Sequence, residues 1–410
     1  MQPLIYTAAL ALFGLTAFLY LGGEWPWPAA TMLRVLTFAA AAGIVQWLAA
    51  RPRPTRAIVP YVVYAAALVT LWLAAPTPDA TRELWRQVAF LTVLVAAAAP
   101  LPAGRGALVG LHVACLLLVF VQLAGPRSAF DGLGRAATYH ALEQWSGYPE
   151  LGLLMAVGAG GTIGLAVAAR SLPVRLAATV LAVAFGLASV YLQSRASTLT
   201  IPIVAAWLLG VAVVKWRSKT AVVGLAAAIA LSVTVVVRGG GVPAIASRGA
   251  ETLAREMGIR EQGWNAARTM AGEHPVTGVG LGGYQREYEE RRLGRDSAHP
   301  YNIVLHVLAE GGVIGLLGWL ALWTRALWVG VRAADRSRRG AAIFALHGML
   351  VAFLLRSQSE HFLANLATSD RLLLLVALWI GLSEGLALDA ARLPLEGRAA
   401  PAREGAPVPP

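Results

Sequence analysis

Residues 301–323 read YNIVLHVLAEGGVIGLLGWLALW, an apolar stretch long enough to cross a lipid bilayer as a helix. Similar stretches recur at 3–22, 29–50, 57–75, 84–102, 106–125, 150–169, 176–194, 197–214, 220–237, 341–357 and 370–388, of which 84–102 and 341–357 are the weakest. Backbone groups in lipid must find their hydrogen-bond partners within the protein. We therefore predict an all-α integral membrane protein, a bundle of about 12 transmembrane helices.

The composition indicates the same class. Hydrophobic residues make up 57% of the chain and charged residues only 14%, whereas soluble domains carry about 25% charged residues. The net charge of +12 is spread over short loops between apolar segments, an arrangement that argues against nucleic-acid binding. The single cysteine, Cys115, lies inside an apolar segment, so an intrachain disulfide and a cysteine metal cluster are both excluded.

The charges of the loops predict the orientation of the chain. Basic residues concentrate at 51–56, 105, 170–175, 215–219 and 325–339, whereas the short loops 22–28 and 76–83 carry acids that match or exceed the bases. The positive-inside rule then places the basic loops in the cytoplasm and the interval 238–300 outside, as one long periplasmic loop. We predict a polytopic membrane domain over 1–388 and a disordered cytoplasmic tail over 389–410.

The interval 238–300 contains many arginines and no lysine. Guanidinium groups bind phosphate through paired, planar hydrogen bonds, so this composition at a membrane surface predicts a phosphate or diphosphate ligand. Arg260, Arg291 and Arg292 are candidates for that contact. Binding to anionic lipid headgroups, or pairing with the glutamates of the same interval, is the alternative.

A further arginine, Arg195, stands in the short turn 192–197 between two apolar segments. A charge so close to hydrocarbon either has a partner at a functional site or extends along the apolar surface to reach the interface. We interpret Arg195 as a functional residue.

The residues SAHPYN, at 297–302, lead into the apolar stretch 301–323. Pro300 suits the first helical position, which leaves His299 just outside the helix at the membrane surface. Asn302, His306 and Glu310 follow at spacings of four and share a helix face. This polar stripe predicts a water-filled cavity or site, or else hydrogen bonds to neighbouring helices. A neutral histidine at this position can take a proton from a hydroxyl group near neutral pH.

Short motifs follow one another from residue 192 to 322: Ser194-Arg195, REQGW (260–264), HPVTGVGLG (274–282), HPYN (299–302) and EGGVIGL (310–316). Taken in this order, they resemble the O-antigen ligase and polymerase superfamily of bacterial envelope enzymes. The resemblance implies a multi-pass protein of the bacterial inner membrane with its active site facing the periplasm. Such an enzyme moves a glycan from undecaprenyl diphosphate to a sugar hydroxyl, with no cofactor and no metal.

Carried over residue by residue, the resemblance implies that Arg195 and Arg260 hold the diphosphate and that His299 is the base for the acceptor hydroxyl. The other predicted substrate-binding residues are Tyr301, Asn302, His306, Glu310, Arg291 and Arg292. Family members usually carry histidine directly before the asparagine, where this chain has Tyr301. Tyrosine, with a pKa of about 10, is a poor base at neutral pH. The base is therefore His299 or a group of a different kind.

The family contains ligases, whose acceptor is the lipid A core, and polymerases of O-antigen or exopolysaccharide. We favour the ligase and keep the polymerase as the alternative. A transporter such as a flippase for lipid-linked glycan is the rival from another class, but transporters place polar groups near mid-bilayer. The expected partners are the undecaprenyl-diphosphate-linked donor, a glycan or lipid A core acceptor and membrane lipids, with no nucleic acid.

Overall fold

The computed structural model describes residues 59–98, 148–191, 195–227 without 219 and 225, 250–293, 299–359 and 369–396. These residues form helices and connecting turns, with no strand among them. The helices are α1 (Val59–Ala74), α2 (Pro78–Ala98), α3 (Tyr148–Ala168), α4 (Leu172–Tyr191), α5 (Arg195–Trp216), α6 (Ala250–Glu273), α7 (Tyr284–Glu290), α8 (Ile303–Ala333), α9 (Arg338–Arg356) and α10 (Ser369–Glu396).

Helices α1 to α5 and α8 to α10 fall on predicted spans. Within the described residues, four helical segments are long and apolar enough to cross a membrane: Leu172–Ser189, Ala196–Trp216, Ile303–Ala333 and Arg338–Arg356. The all-α prediction is therefore confirmed for this part of the chain. The spans at 3–22, 29–50 and 106–125, and most of 220–237, lie outside the described residues, so the total of about 12 helices stays a prediction.

Two helix ends differ from the sequence-based expectation. Helix α8 begins at Ile303 rather than at Pro300, because Asn302 has an extended backbone and its side chain accepts a hydrogen bond from the Leu305 N–H as the N-cap. Helix α10 continues to Glu396, so residues 389–396, which were expected to be disordered, are helical.

The interval 238–300, predicted as a long loop, contains the helices α6 and α7. Helix α6 has 24 residues and packs against α8, and the short α7 packs against α8 as well. The described part of this interval is thus an ordered cap on the bundle.

Helix α9 forms the centre of the bundle, where it packs against α3, α5, α8 and α10. Its apolar segment is 72% buried, compared with 17% for that of α4, which lies at the periphery. The contact between α3 and α9 is made by Gly160 and Gly348, because a side chain on either residue would collide with the backbone of the other. Small residues of this kind let apolar helices approach closely in a membrane.

The starts of α5 and α8 and the end of α9 meet at one face of the bundle, which we call the site face. The Arg356 guanidinium Nε donates to Ser197 Oγ at 3.1 Å, and the Ile303 N–H donates to the Ser357 carbonyl at 3.0 Å. These contacts place the end of α9 beside the first turns of the other two helices.

The ends of α5 and α8 meet at the opposite face. There the Lys215 ammonium donates to the carbonyls of Val331 and Arg332 at 2.5 and 2.8 Å. The relative directions of α5, α8 and α9 agree with the alternation expected from the loop charges. Which face is periplasmic stays a prediction.

A buried polar contact joins α1, α8 and α10 near the opposite face. The Arg325 guanidinium donates to both carboxylate oxygens of Glu384, at 2.6 and 2.7 Å, and the Tyr61 hydroxyl donates to the same carboxylate at 2.6 Å. Loss of one partner would leave a buried charge uncompensated, which is strongly destabilising. This contact holds the three helices in register around the cavity described below.

Candidate functional site

A break in α8 shapes the site. Gly312 has φ 54° and ψ −151°, a conformation that interrupts the helix and strongly favours glycine. The glycine-rich turn that follows α6 fills the break: the N–H groups of Val279 and Gly280 donate to the carbonyls of Ala309 and Glu310, at 2.9 and 3.0 Å. The turn therefore satisfies backbone groups that the broken helix cannot pair internally.

The same turn also accepts hydrogen bonds from the residues of α8 that follow the break. The N–H groups of Val313 and Ile314 donate to the carbonyls of Pro275 and Val276, at 2.9 and 3.2 Å. A Cβ at Gly312 would collide with the backbone of this segment. The HPVTGVGLG and EGGVIGL motifs are thus two halves of one packed unit.

The Glu310 carboxylate connects this unit to α7. It accepts hydrogen bonds from the N–H groups of Gly282 and Tyr284, at 3.1 and 3.2 Å, and His306 Nε2 lies 3.2 Å from it. The predicted shared face of His306 and Glu310 is confirmed. Both carboxylate oxygens of Glu310 therefore contact protein groups. Direct binding of substrate by Glu310 stays a prediction.

Arg260, His299 and Tyr301 come together at the site face, and we call them the base cluster. The Tyr301 ring centroid is 4.5 Å from that of His299 and 5.7 Å from the Arg260 guanidinium carbon, within the range of a cation–π contact. Tyr301 has φ 48°, an uncommon backbone conformation for a bulky residue. Such strain is found where the surrounding structure fixes a functional geometry.

The environment of His299 keeps its ring uncharged. Burial, with a smaller contribution from His306, lowers the pKa of His299 from 6.5 to about 4. The neutral ring, which has a nitrogen able to accept a proton, therefore predominates at neutral pH. Its low pKa also makes it a weaker base than an exposed histidine.

Asn302 lies next to the base cluster, but its side chain contacts the start of α8 and the residue Gln358. Its Oδ1 caps α8, and its Nδ2 lies 3.3 Å from the Gln358 carbonyl and 3.2 Å from Gln358 Oε1. It does not share the face of His306 and Glu310 as expected, because it sits before the helix and turns toward the end of α9. Its predicted contact with substrate is untested.

The remaining predicted arginines are placed differently. Arg195 is the first residue of α5, on the site face, and its side chain lies outside the described residues. Arg291 forms ion pairs with Glu287, at 2.7 Å, and with Glu273; the hydrogen bond to Glu273 raises its pKa. Arg291 therefore pairs with glutamates of the interval 238–300, which was the alternative to phosphate binding. Arg292 is exposed after α7, with φ 50°.

His306 and Glu310 also line a cavity of about 510 Å³ enclosed by α1, α2, α7, α8 and α10. This position agrees with the cavity predicted from the polar stripe. The cavity reaches Ile303, the first residue of α8, so it comes close to the segment that carries His299 and Tyr301.

Sequence reasoning missed Arg356. Its side chain is only 3% exposed, and its Nη1 donates to Ser359 Oγ at 2.7 Å in addition to the bond to Ser197. It was detectable as an arginine at the end of an apolar segment predicted to be periplasmic, where the positive-inside rule disfavours it. Its partner Ser197 lies two residues along α5 from Arg195, so Arg356 adds a cation to the site face.

Comparison with known proteins supports the resemblance read from the motifs. The family model described as O-antigen ligase matches residues 178–320. The chain is also 30% identical over 212 residues to an O-antigen ligase of Pseudomonas aeruginosa, an alignment that covers 46% of this chain and 50% of the relative. The chain thus spans about half the length of the curated relative. Residues 178–320 thus match the O-antigen ligase family, in agreement with the resemblance to the O-antigen ligase and polymerase superfamily.

Proposed function

We propose that this protein transfers a glycan from undecaprenyl diphosphate to a sugar hydroxyl, as an O-antigen ligase with the lipid A core as acceptor. The observation that carries the proposal is the base cluster, in which a guanidinium and a neutral imidazole both lie against the ring of a strained tyrosine. The first can bind phosphate and the second can accept a proton, and glycosyl transfer from a diphosphate needs both.

The cationic surroundings support a leaving group with negative charge. Arg260 belongs to the cluster, and Arg356, at the end of α9, donates to Ser197 in the first turn of α5, the helix that begins with Arg195. The positive end of the α8 dipole also lies at this face. Fixed positive charges of this kind stabilise charge that develops in a transition state, often the largest catalytic contribution.

The proposed reaction exchanges one bond for another. The acceptor oxygen bonds to the anomeric carbon, while the bond from that carbon to the phosphate oxygen breaks and leaves its electron pair on the diphosphate. His299 takes the hydroxyl proton, and Arg260 and Arg195 hold the departing diphosphate. The Tyr301 ring contacts both Arg260 and His299 and so positions them.

Complementation distinguishes the ligase from the polymerase. Expressed in a strain that lacks the O-antigen ligase, the protein should restore long glycan chains on the lipid A core, seen as a ladder on a lipopolysaccharide gel. Restored chain length in a strain that lacks only the polymerase would instead assign the polymerase activity. Failure in both strains, with the protein present in the membrane, would contradict the proposed function.

We also propose that the site face is periplasmic and that the protein lies in the inner membrane. In a Cys115→Ser background, Thr269→Cys on the exposed side of α6 should react with an impermeant maleimide in intact spheroplasts. Arg338→Cys at the start of α9, on the opposite face, should react only after the membrane is permeabilised. The reverse pattern would place the base cluster in the cytoplasm and exclude the proposed donor arrangement.

A further inference from the structure

Arg356, the last residue of α9, is an arginine buried where two parts of the predicted site meet. Its side chain is only 3% exposed, so a substrate at the site face has little access to it. Its Nε donates to Ser197 Oγ at 3.1 Å, in the first turn of α5, and its Nη1 donates to Ser359 Oγ at 2.7 Å, just after α9. The guanidinium therefore holds the start of one helix against the end of another.

The first turn of α5 depends on such contacts for its position. It begins with Arg195, and the first N–H groups of a helix have no hydrogen-bond partner within that helix. Pro202 lies inside α5, and an interior proline removes one hydrogen bond of the helix and disturbs the turn that precedes it. The turn that carries Arg195 is therefore held less firmly by its own helix than an interior turn is.

The end of α9 also holds the segment that leads into α8. The Ile303 N–H donates to the Ser357 carbonyl at 3.0 Å, and Asn302 Nδ2 lies 3.2 Å from Gln358 Oε1. The segment 299–302, which contributes two residues to the base cluster, immediately precedes Ile303. The end of α9 thus contacts both parts of the predicted site, the start of α5 and the segment of the base cluster.

We propose that Arg356 is a positioning residue for the transfer reaction: through Ser197 it fixes the first turn of α5, and thereby Arg195, relative to the base cluster. The inference rests on the proposed function, which gives Arg195 the role of holding the diphosphate. Because Arg356 itself is buried, its loss acts on the diphosphate through Arg195. An arginine suits this task, because its planar guanidinium presents several donors in fixed directions.

Ser197→Ala removes the link to α5 and leaves Arg356, with its favourable charge at the end of α9, in place. It should weaken the affinity for undecaprenyl diphosphate by about fivefold, an effect typical of one lost hydrogen bond. The measurement is native mass spectrometry of the full-length protein in phosphatidylcholine nanodiscs, which needs no transfer activity. Unchanged affinity would overturn the inference.

Thr200→Val is the matched control. It removes another buried hydroxyl of α5, one whose hydrogen bond of 2.7 Å to the Ala196 carbonyl stays within the helix. The valine keeps the shape of the side chain, so this variant should bind undecaprenyl diphosphate like the wild type. Equal weakening in Thr200→Val and Ser197→Ala would show a general loss of packing in α5 and overturn the inference.

Double variants show which residue the link acts through. In an Arg195→Ala background, Ser197→Ala should cause no further loss of affinity, because the turn no longer carries the guanidinium that it positions. In an Arg260→Ala background, it should keep its full effect, because Arg260 lies on α6. A merely structural contact would weaken binding alike in both backgrounds, and that result would overturn the inference.

Arg356→Met tests the other end of the link. Methionine fills much of the space of the arginine stem and donates no hydrogen bond, so this variant should lose at least as much affinity as Ser197→Ala. It should likewise add nothing in the Arg195→Ala background. Where Arg356→Met fails to reach the membrane, the series based on Ser197→Ala decides.

Transfer kinetics separate this inference from the proposed function. In Ser197→Ala the KM for the donor should rise while the KM for the acceptor stays near its wild-type value, and the opposite split would overturn the inference. If the binding results are as expected but no acceptor supports transfer, the positioning of Arg195 stands and the proposed transfer falls. If transfer occurs but the losses multiply in both backgrounds, the inference alone falls. A wild type with no affinity for undecaprenyl diphosphate would overturn both.

Discussion

Arg260→Ala is expected to reduce the rate of glycan transfer by about 10²–10³-fold, with the protein still folded in the membrane. The Arg260 guanidinium lies against the Tyr301 ring beside His299, where it can contact the departing diphosphate. Loss of one preorganised group that stabilises developing charge typically costs a factor of this size. The measurement is the initial rate of transfer from labelled undecaprenyl-diphosphate glycan in proteoliposomes.

Two further arginine variants sharpen this test. Arg260→Lys should recover little of the rate, because an ammonium group cannot reproduce the paired, planar geometry of a guanidinium on phosphate. Arg268 lies on the same helix as Arg260, is exposed and donates to Asn265. The Arg268→Ala variant should therefore retain nearly the full rate. Full activity in Arg260→Ala together with no activity in Arg291→Ala would show that Arg291, and not Arg260, stabilises the departing diphosphate.

His299→Ala is expected to lower the transfer rate by about 10²–10⁴-fold, the usual contribution of a general base. Tyr301→Phe should be tolerated, because the phenyl ring preserves the contacts with Arg260 and His299 and only the hydroxyl is lost. Tyr301→His, which restores the more common family pattern, should recover part of the activity in the His299→Ala background. Near-normal turnover in His299→Ala with an inactive Tyr301→Phe would move the catalytic group to position 301.

The pH dependence gives a second, independent readout of His299. Protonation removes its ability to act as a base, so activity is lost as the pH falls through its pKa. Since that pKa is lowered to about 4, kcat/KM, which reports the free enzyme, should hold nearly constant down to about pH 5.5. A histidine with an ordinary pKa would have lost about nine-tenths of the rate by that pH.

Donor binding should change this profile in a defined direction. A diphosphate next to His299 favours the protonated ring and raises its pKa, so the acidic limb of kcat should lie at higher pH than that of kcat/KM. In His299→Gln, this limb should disappear from the residual activity. An acidic limb that persists unchanged in the variant would belong to another group.

Much of the fold was predictable because membrane helices are marked by composition. The apolar stretches 150–169, 176–194, 197–214 and 341–357 each correspond to a helix within a few residues. Lipid leaves the backbone few alternatives to a helix, so hydropathy alone predicts that each of these stretches is helical. The helix ends were less predictable, because local caps such as Asn302 set them and such caps depend on backbone geometry.

The sequence by itself determined the helical class, the membership of 260–264 and 299–302 in one family pattern, and the shared helix face of His306 and Glu310 at a spacing of four. These are properties of neighbouring residues. Only the tertiary structure decided which distant groups meet: Arg260 with Tyr301, Arg356 with Ser197, and the glycine-rich turn with the break at Gly312. It also showed that Arg291 is held by Glu273 and Glu287. The physical reason is that such contacts depend on how whole helices pack, and helix packing in a membrane rests on shape complementarity among many side chains.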